Sequence, residues 1–381
     1  MNQYSMFGIQ KAEVMNDLVQ RVIERAIQIQ QIPAPPFEEM KRAGFVHKLF
    51  VEEGLHNVSV DEMGNIYGRW TLDAGQSTEG KPLIISAHLD TVFPHETSLK
   101  VTREGGRIFG PGLGDNSLGV AALFGLLWMF RERNIKLNGD VWFVANIGEE
   151  GLGDLRGMKA VVERFGGEVQ AYLVLEGLAL GHIYHRAVGV KRYRVTARTT
   201  GGHSWSDYGK PSAIHELAKL VAQLSSLELP TQPRTTMNVG KISGGTSVNV
   251  IASDATLDLD LRSQGQESLA ELISTVEKMI HNAGRQDVRM EAEVIGQRPA
   301  GEMSLNHPLV KLAERCLREQ DLEPILTAGS TDANIPLSRG YPAIVLGVST
   351  GGSAHTVHEF INVEPVAQGM EHLLEFVSRV W

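Results

Sequence analysis

The chain reads as a layered α/β domain interrupted by a compact α+β insertion, and three observations carry that reading. Toward both ends, short and nearly continuous apolar runs alternate with helix-periodic stretches, the pattern of strands buried on both faces and linked by helical crossovers. In the middle, the strand-like segments switch to apolar/polar alternation, which marks a sheet with one wet face. Acids and histidines recur where the apolar runs stop, and strand ends in an open α/β sheet face a crevice.

The elements follow in order. Met15–Gln31 and Glu38–Glu53 repeat apolar residues at helical spacing around Pro33, Pro35 and Pro36, so two helices flank a stiff loop. Pro82–Ala87, Val141–Ile147, Ala171–Leu175 and Ala343–Val348 have the composition of buried strands. Ser117–Arg133, Gly157–Phe165, Pro308–Glu319 and Pro365–Val380 have helical periodicity. Between these sets, Lys191–Thr199, Met237–Ile242, Thr256–Arg262 and Val288–Ile295 read as strands, with helices at Ser212–Leu227 and Glu267–Asn282. The order βαββαβ is that of a ferredoxin-like unit of about 110 residues. Because the first kind of alternation resumes near Asn306, residues 1–187 and 298–381 are assigned to one domain and 188–297 to the insertion.

Composition narrows the function. A chain of 381 residues exceeds a single core, which agrees with two domains. Charged residues are 21% and hydrophobic ones 42%, the balance of an ordinary globular protein. The net charge of -9 argues against a nucleic-acid partner. Cys316 is the single cysteine, so any metal must be held by nitrogen and oxygen, and a reducing cytoplasm fits. Met1–Gln10 lacks the basic and apolar stretches of a secretory leader. Leu118–Phe130, the most apolar segment, is about 13 residues and short of the roughly 20 that span a bilayer, so it is expected to be a core helix with no membrane role.

The strand ends hold the chemistry. His88 and Asp90 follow the first buried run, and Asp90 can orient the His88 imidazole through a hydrogen bond. A lone strand-end histidine is more often structural; the neighbours decide otherwise. Asp115 lies in the turn Gly110–Asn116, where a carboxylate is either a ligand or a helix N-cap. Glu149 and Glu150 are adjacent acids after Val141–Ile147, a repulsive arrangement unless a cation lies beside them. One can then ligate while the other moves a proton. Glu176 ends Ala171–Leu175 as a third acid on the same sheet, and His355 follows later. Together they suit a pair of zinc-like ions.

These segments, in this order, resemble the dizinc peptidase and deacylase family that contains carboxypeptidase G, tripeptide aminopeptidase (peptidase T), aminoacylase and succinyl-diaminopimelate desuccinylase. The resemblance spans nearly the whole chain: Ser86–Thr91, Gly114-Asp115-Asn116, Gly148–Gly151, Gly202-His203-Ser204, Gly329–Ala333, and His355 four residues before Glu359. It implies a mixed-sheet zinc-peptidase catalytic domain with an inserted ferredoxin-like α+β dimerisation (lid) domain. Carried over by position, Asp115 would bridge two metal ions, His88 and Glu176 would complete one site, and Glu150 and His355 the other. Glu149 would be the general acid/base and Asp90 would orient His88. The spacing to Glu359 selects His355 over His358 as the last ligand. A cis peptide is implied between Asp115 and Asn116. His203 would reach the active site of a partner subunit and stabilise the oxyanion, implying a homodimer; Asn249 and Arg262 match positions that contact substrate. Zinc is the first choice of metal, with cobalt or manganese as alternatives.

Two cues to substrate conflict. The resemblance gives carboxypeptidase and desuccinylase members glutamate at the position of Glu176, and aminopeptidase members aspartate. The overall wording, including Ile32–Glu39, is nearest to bacterial peptidase T-like proteins. The expectation is therefore hydrolysis of an amide in a short peptide or N-acyl amino acid, carboxypeptidase-type slightly favoured, with a metabolite deacylase as the alternative within the family and a non-catalytic peptide-binding dimer as the alternative outside it.

Overall fold

The protein is represented by a computed structural model that describes residues 3–71 and 80–381, with side chains described from residue 15 onward. Of the N-terminal stretch read for a leader, Met1 and Asn2 lie outside the described residues. The chain divides into two compact units, Met1–His185 with Glu302–Trp381, and Arg186–Gly301.

The first unit is built on a nine-stranded mixed sheet. Its path runs His56–Val60, Ile66–Trp70, Gly139–Asn146, Gly80–His88, Ala171–Glu176, Ala343–Gly347, His182–Ala187 and Gly301–Glu302, with Ile325–Gly329 also paired to His182–Ala187. The four central strands, from Gly139–Asn146 to Ala343–Gly347, are parallel neighbours, and the flanking pairs with Ile66–Trp70 and His182–Ala187 are antiparallel. Central strands covered on both faces must be apolar on both, and Leu83–Ile85, Leu173–Leu175 and Ile344–Leu346 are fully buried. The edge strand His56–Val60 and its neighbour Ile66–Trp70 escaped the sequence reading because they are short and partly polar, with no clean period to detect.

A π-helical turn, Leu113–Ser117, runs into the helix Leu118–Glu132, whose residues Leu118–Phe130 are all buried. The combined span Leu113–Glu132 is long and apolar enough to cross a membrane by length and composition, yet 94% of its most apolar 18-residue window is buried inside the protein. The core placement expected from sequence therefore stands, but the length argument for it does not. Phe124 packs on Phe50 and Phe130 on Phe143, which ties this helix to a neighbouring helix and to the sheet.

The second unit has a four-stranded antiparallel sheet in the order Thr235–Gly244, Asp254–Ser263, Gly189–Arg198, Arg289–Arg298. Helices Ala213–Ser225 and Gln266–Ala283 complete the βαββαβ order, the ferredoxin-like arrangement. Asp254–Ser263 alternates buried and half-buried along most of its length, and its inward Leu257, Leu259 and Leu261 join Leu217, Leu220 and Val276 in one apolar cluster. The period-two pattern of this segment is thus its packing pattern.

His372, on the C-terminal helix Pro365–Arg379, is fully buried and its Nε2–H donates to the carbonyl of Gly347 at the end of a central strand. Burial drives its pKa down from 6.5 to about 4. The folded state thus refuses a proton that the unfolded chain accepts below pH 6.5, so stability falls as pH drops from 6.5 toward 4. Melting temperature measured across that interval should fall more steeply for wild type than for His372→Gln, by up to about 3 kcal/mol of differential stability.

Candidate metal centre

The sheet delivers its acids and imidazoles to one edge. His88 is the last residue of its strand and pairs in register with Asn146, three residues before Glu149. Its Nδ1–H meets the backbone carbonyl of Asp90 at 3.1 Å. That contact fixes the tautomer and leaves Nε2 facing Asp115 Oδ1 at 3.1 Å and Glu176 Oε2 at 3.8 Å. The Asp90 carboxylate itself stands 3.7 Å from Nδ1, beyond hydrogen-bond range. It is turned instead toward two backbone donors, accepting the N–H groups of Glu149 at 3.0 Å and Glu150 at 2.7 Å. Asp90 therefore orients the imidazole with its carbonyl and positions the paired glutamates with its carboxylate.

Asp115 occupies the π-helical turn with non-helical dihedrals (φ -113, ψ 90), and its peptide bond to Asn116 is cis, as the resemblance implied. The helix entry has no side-chain cap, so the N-cap alternative for Asp115 falls away. Its Oδ2 meets His355 Nε2 at 3.0 Å, and Glu150 Oε1 meets the same nitrogen at 3.1 Å. One carboxylate thus touches both imidazoles. Three groups of side chains present ligand atoms within 4.8 Å of one another: His88, Asp115 and Glu176; Asp115, Glu150 and His355; and His88, Glu149 and Glu150. Nitrogen and oxygen donors so gathered fit divalent ions such as zinc, cobalt or manganese.

The charges state the same need for cations. Burial disfavours the charged form of His88, yet the surrounding carboxylates, Asp115 foremost, carry its pKa well above 6.5. Hydrogen bonds to Asp115 and then Glu150 raise His355 to about 10. Burial, and then the neighbouring Asp115 and Glu150, push Glu176 upward. A cluster that pulls protons onto its imidazoles is one in which positive charge is missing.

Two side chains that sequence reasoning did not assign a task hold this geometry. Glu359, fully buried, accepts the N–H groups of Gly112 at 3.0 Å, Gly114 at 2.7 Å and Asp115 at 2.9 Å. Asn116 donates to the carbonyl of Leu175 at 2.8 Å and accepts the N–H of Gly177 at 3.0 Å, tying the Asp115 turn to the two neighbours of Glu176. Their partners are backbone groups distant in sequence, which no local pattern reveals; the fixed step from His355 to Glu359 was the only signal.

The remaining histidines of the first unit and the residues read in the insertion make contacts of their own. His358 is exposed and contributes a backbone N–H to Thr356. His185 is buried and bonded to the Met303 carbonyl at 2.8 Å. His203, Asn249 and Arg262 belong to the second unit. There His203 pairs with Val250 in a short ladder, and the Asn249 carbonyl accepts the N–H of Ser204 at 3.0 Å, so the first two are neighbours. The Arg262 Nε bonds to Asp260 at 2.6 Å.

A two-unit α/β protein whose acids and imidazoles gather at its parallel strand ends and the loops beside them has the form of a metal-dependent hydrolase. Residues 84–379 match the pattern of Peptidase family M20/M25/M40, and the chain belongs to that family. YqjE of Bacillus subtilis (strain 168) is 23% identical over 374 residues, covering 94% of this chain and 98% of that protein. Among solved structures, a tripeptidase from Staphylococcus aureus superposes with a TM-score of 0.79 at 23% identity, covering 95% of this chain and 98% of its own. The metallo-carboxypeptidase Sso-CP2 from Sulfolobus solfataricus gives 0.77 at 15% identity, covering 94% and 99%. At these identities the likeness is one of fold.

Replacing Glu359 by alanine leaves three buried N–H groups without an acceptor. Urea denaturation should show a loss of about 3 kcal/mol or more. Glu359→Gln, which keeps one acceptor oxygen, should fall between alanine and wild type.

Proposed function

We propose that this protein hydrolyses an amide bond in short peptides or N-acyl amino acids with two divalent ions, zinc first. The observation that carries the reading is the single carboxylate of Asp115 shared between His88 and His355, with Glu176 beside the first imidazole and Glu150 beside the second. In this assignment His88, Asp115 and Glu176 hold one ion, and Asp115, Glu150 and His355 the other. Bound there, the ions would supply Lewis-acid polarisation of the scissile carbonyl and acidification of the attacking water.

The chain's own groups do the rest. Glu149, set by the Asp90 carboxylate through its backbone N–H, takes the proton from the attacking water and returns it to the leaving amine. His203 of the partner subunit supplies a donor to the oxyanion. In support, the His203 Nδ1 accepts backbone N–H groups from Trp205 at 3.2 Å and Ser206 at 3.4 Å, which puts the proton on Nε2, the outward nitrogen. Residues 188–297 then act as a dimerisation and lid domain on the catalytic residues 1–187 and 298–381, and Asn249 and Arg262 contact substrate. Glutamate at position 176 and a terminal Arg262 guanidinium that can meet a carboxylate favour a carboxypeptidase-type substrate over the tripeptide type.

Metal analysis by mass spectrometry on protein purified without chelator should return about two ions per chain. A panel of dipeptides, tripeptides and N-acyl amino acids should be cleaved before chelation and spared after it, and the preferred member separates peptidase from deacylase. Absence of metal, with no cleavage after zinc, cobalt or manganese is restored, overturns the reading. Glu149→Ala should keep its metal and lose about 10²-fold to 10⁴-fold in kcat; near-normal turnover removes Glu149 from the proton-transfer role.

A further inference from the structure

The strand His182–Ala187 carries a side chain that none of these roles uses. Tyr184 pairs across the sheet with Val345, Val345 with Val174, and Val174 with Ser86. Residues opposite one another in a sheet project to the same face, and so do residues two apart along a strand. Two positions beyond Val174 and Ser86 on that face stand Glu176 and His88. Tyr184 is therefore one pleat repeat, about 6.6 Å along the strands, from the row of proposed ligands. Its ring is pressed against Gly329, where a Cβ would come within 2.6 Å of Tyr184 Cδ1. His182, on the same face, lies beside it with ring centroids 6.1 Å apart. Of this pair the tyrosine is the one on which the cluster acts. Burial, and then the negative charges of Glu176 and Asp115, raise the Tyr184 pKa above 10, so the phenol keeps its proton.

A neutral donor is what the side chains proposed to hold the ions lack. The carboxylates only accept, His88 Nδ1 is committed to the Asp90 carbonyl, and both Nε2 atoms face acids. An oxygen of a substrate entering this cluster meets like charge wherever a cation does not face it. A phenol on the same sheet face offers a hydrogen bond without a second charge to desolvate. We propose that the Tyr184 hydroxyl is a substrate-binding donor of the catalytic unit, giving its hydrogen bond to a carbonyl or carboxylate oxygen of the bound substrate. The proposal rests on the amide-hydrolase reading above.

Tyr184→Phe tests it, because the ring and its packing on Gly329 are kept while the donor is removed. Metal content and steady-state kinetics are measured on wild type and variant with the preferred substrate of the panel, together with inhibition by the free amino-acid product. The expected result is unchanged metal content and melting temperature, kcat/KM lower by about tenfold or more, and weaker product inhibition. Wild-type kinetics in the variant overturn the proposal. So does a loss of activity that excess metal restores, since that assigns Tyr184 to the metal site rather than to substrate. An inactive wild type that carries its metal defeats the hydrolase reading instead, and an active wild type matched by its variant defeats only the role of Tyr184.

Discussion

The site depends on one buried carboxylate that is not itself among the ligands. Glu359 gathers three backbone N–H groups, from Gly112, Gly114 and Asp115, and so dictates where the Asp115 carboxylate can point. The same residue closes a second connection: its own carbonyl accepts the N–H of Gly110 at 2.9 Å, beside the short ladder that joins Phe360–Asn362 to Arg107–Phe109. The loop that carries His355 and the turn that carries Asp115 are thereby one rigid piece, although the chain that links them includes the whole second unit. Burial and the nearby charge of Asp115 raise the Glu359 pKa to about 7. The three N–H donors offset much of that cost and keep the acid in place.

A similar logic organises the opposite side of the cluster. Asp90 has two jobs separated by atom: its carbonyl selects the His88 tautomer, and its carboxylate fixes the backbone of Glu149 and Glu150. Between them lies Leu89, whose carbonyl accepts from the guanidinium of Arg42 at 2.6 Å. Arg42 is fully buried, also bonds to the carbonyls of Ile32 and Gln30, and has its pKa lowered to about 10 by burial. A buried cation one residue from His88 and Asp90 places positive charge behind a cluster of acids, and it anchors that loop to the N-terminal helices. The precision of the ligands thus comes from backbone atoms held by side chains, rather than from the ligands holding one another.

The acid and imidazole at the strand ends were legible in the sequence because each follows an apolar run whose length and composition announce a buried strand. His88 after Leu83–Ala87, and Glu176 after Ala171–Leu175, sit where the register puts them. The inserted sheet was legible for the opposite reason, its period-two alternation. What the residues could not disclose is anything that depends on a long-range backbone contact. Glu359 was a marker in a motif until its three N–H partners came into view, and the bonds that the Asp90 carboxylate accepts from Glu149 and Glu150, 59 and 60 residues away, have no local pattern to announce them. The small ladder of Thr102–Glu104, Arg107–Phe109, Phe360–Asn362 and Gly351–Gly352 went unread because strands of two and three residues have no period.

The protonation of the cluster connects these local restraints to metal binding. With His355 raised to about 10 and His88 raised as well, the surrounding carboxylates favour the protonated form of each imidazole. In the two-ion reading proposed above, a divalent ion held there would take the place of those protons, because an imidazole ligates in its neutral form. The framework need not rearrange for this exchange, since Nε2 of both rings already faces the carboxylates that would share the ion. Preorganisation of that kind lowers the ordering cost of binding. It also explains why so much buried hydrogen bonding is spent on Asp90, Asn116 and Glu359: four acids and two imidazoles held this close repel or protonate one another, and only a scaffold fixed independently of them can keep their geometry ready for the ions.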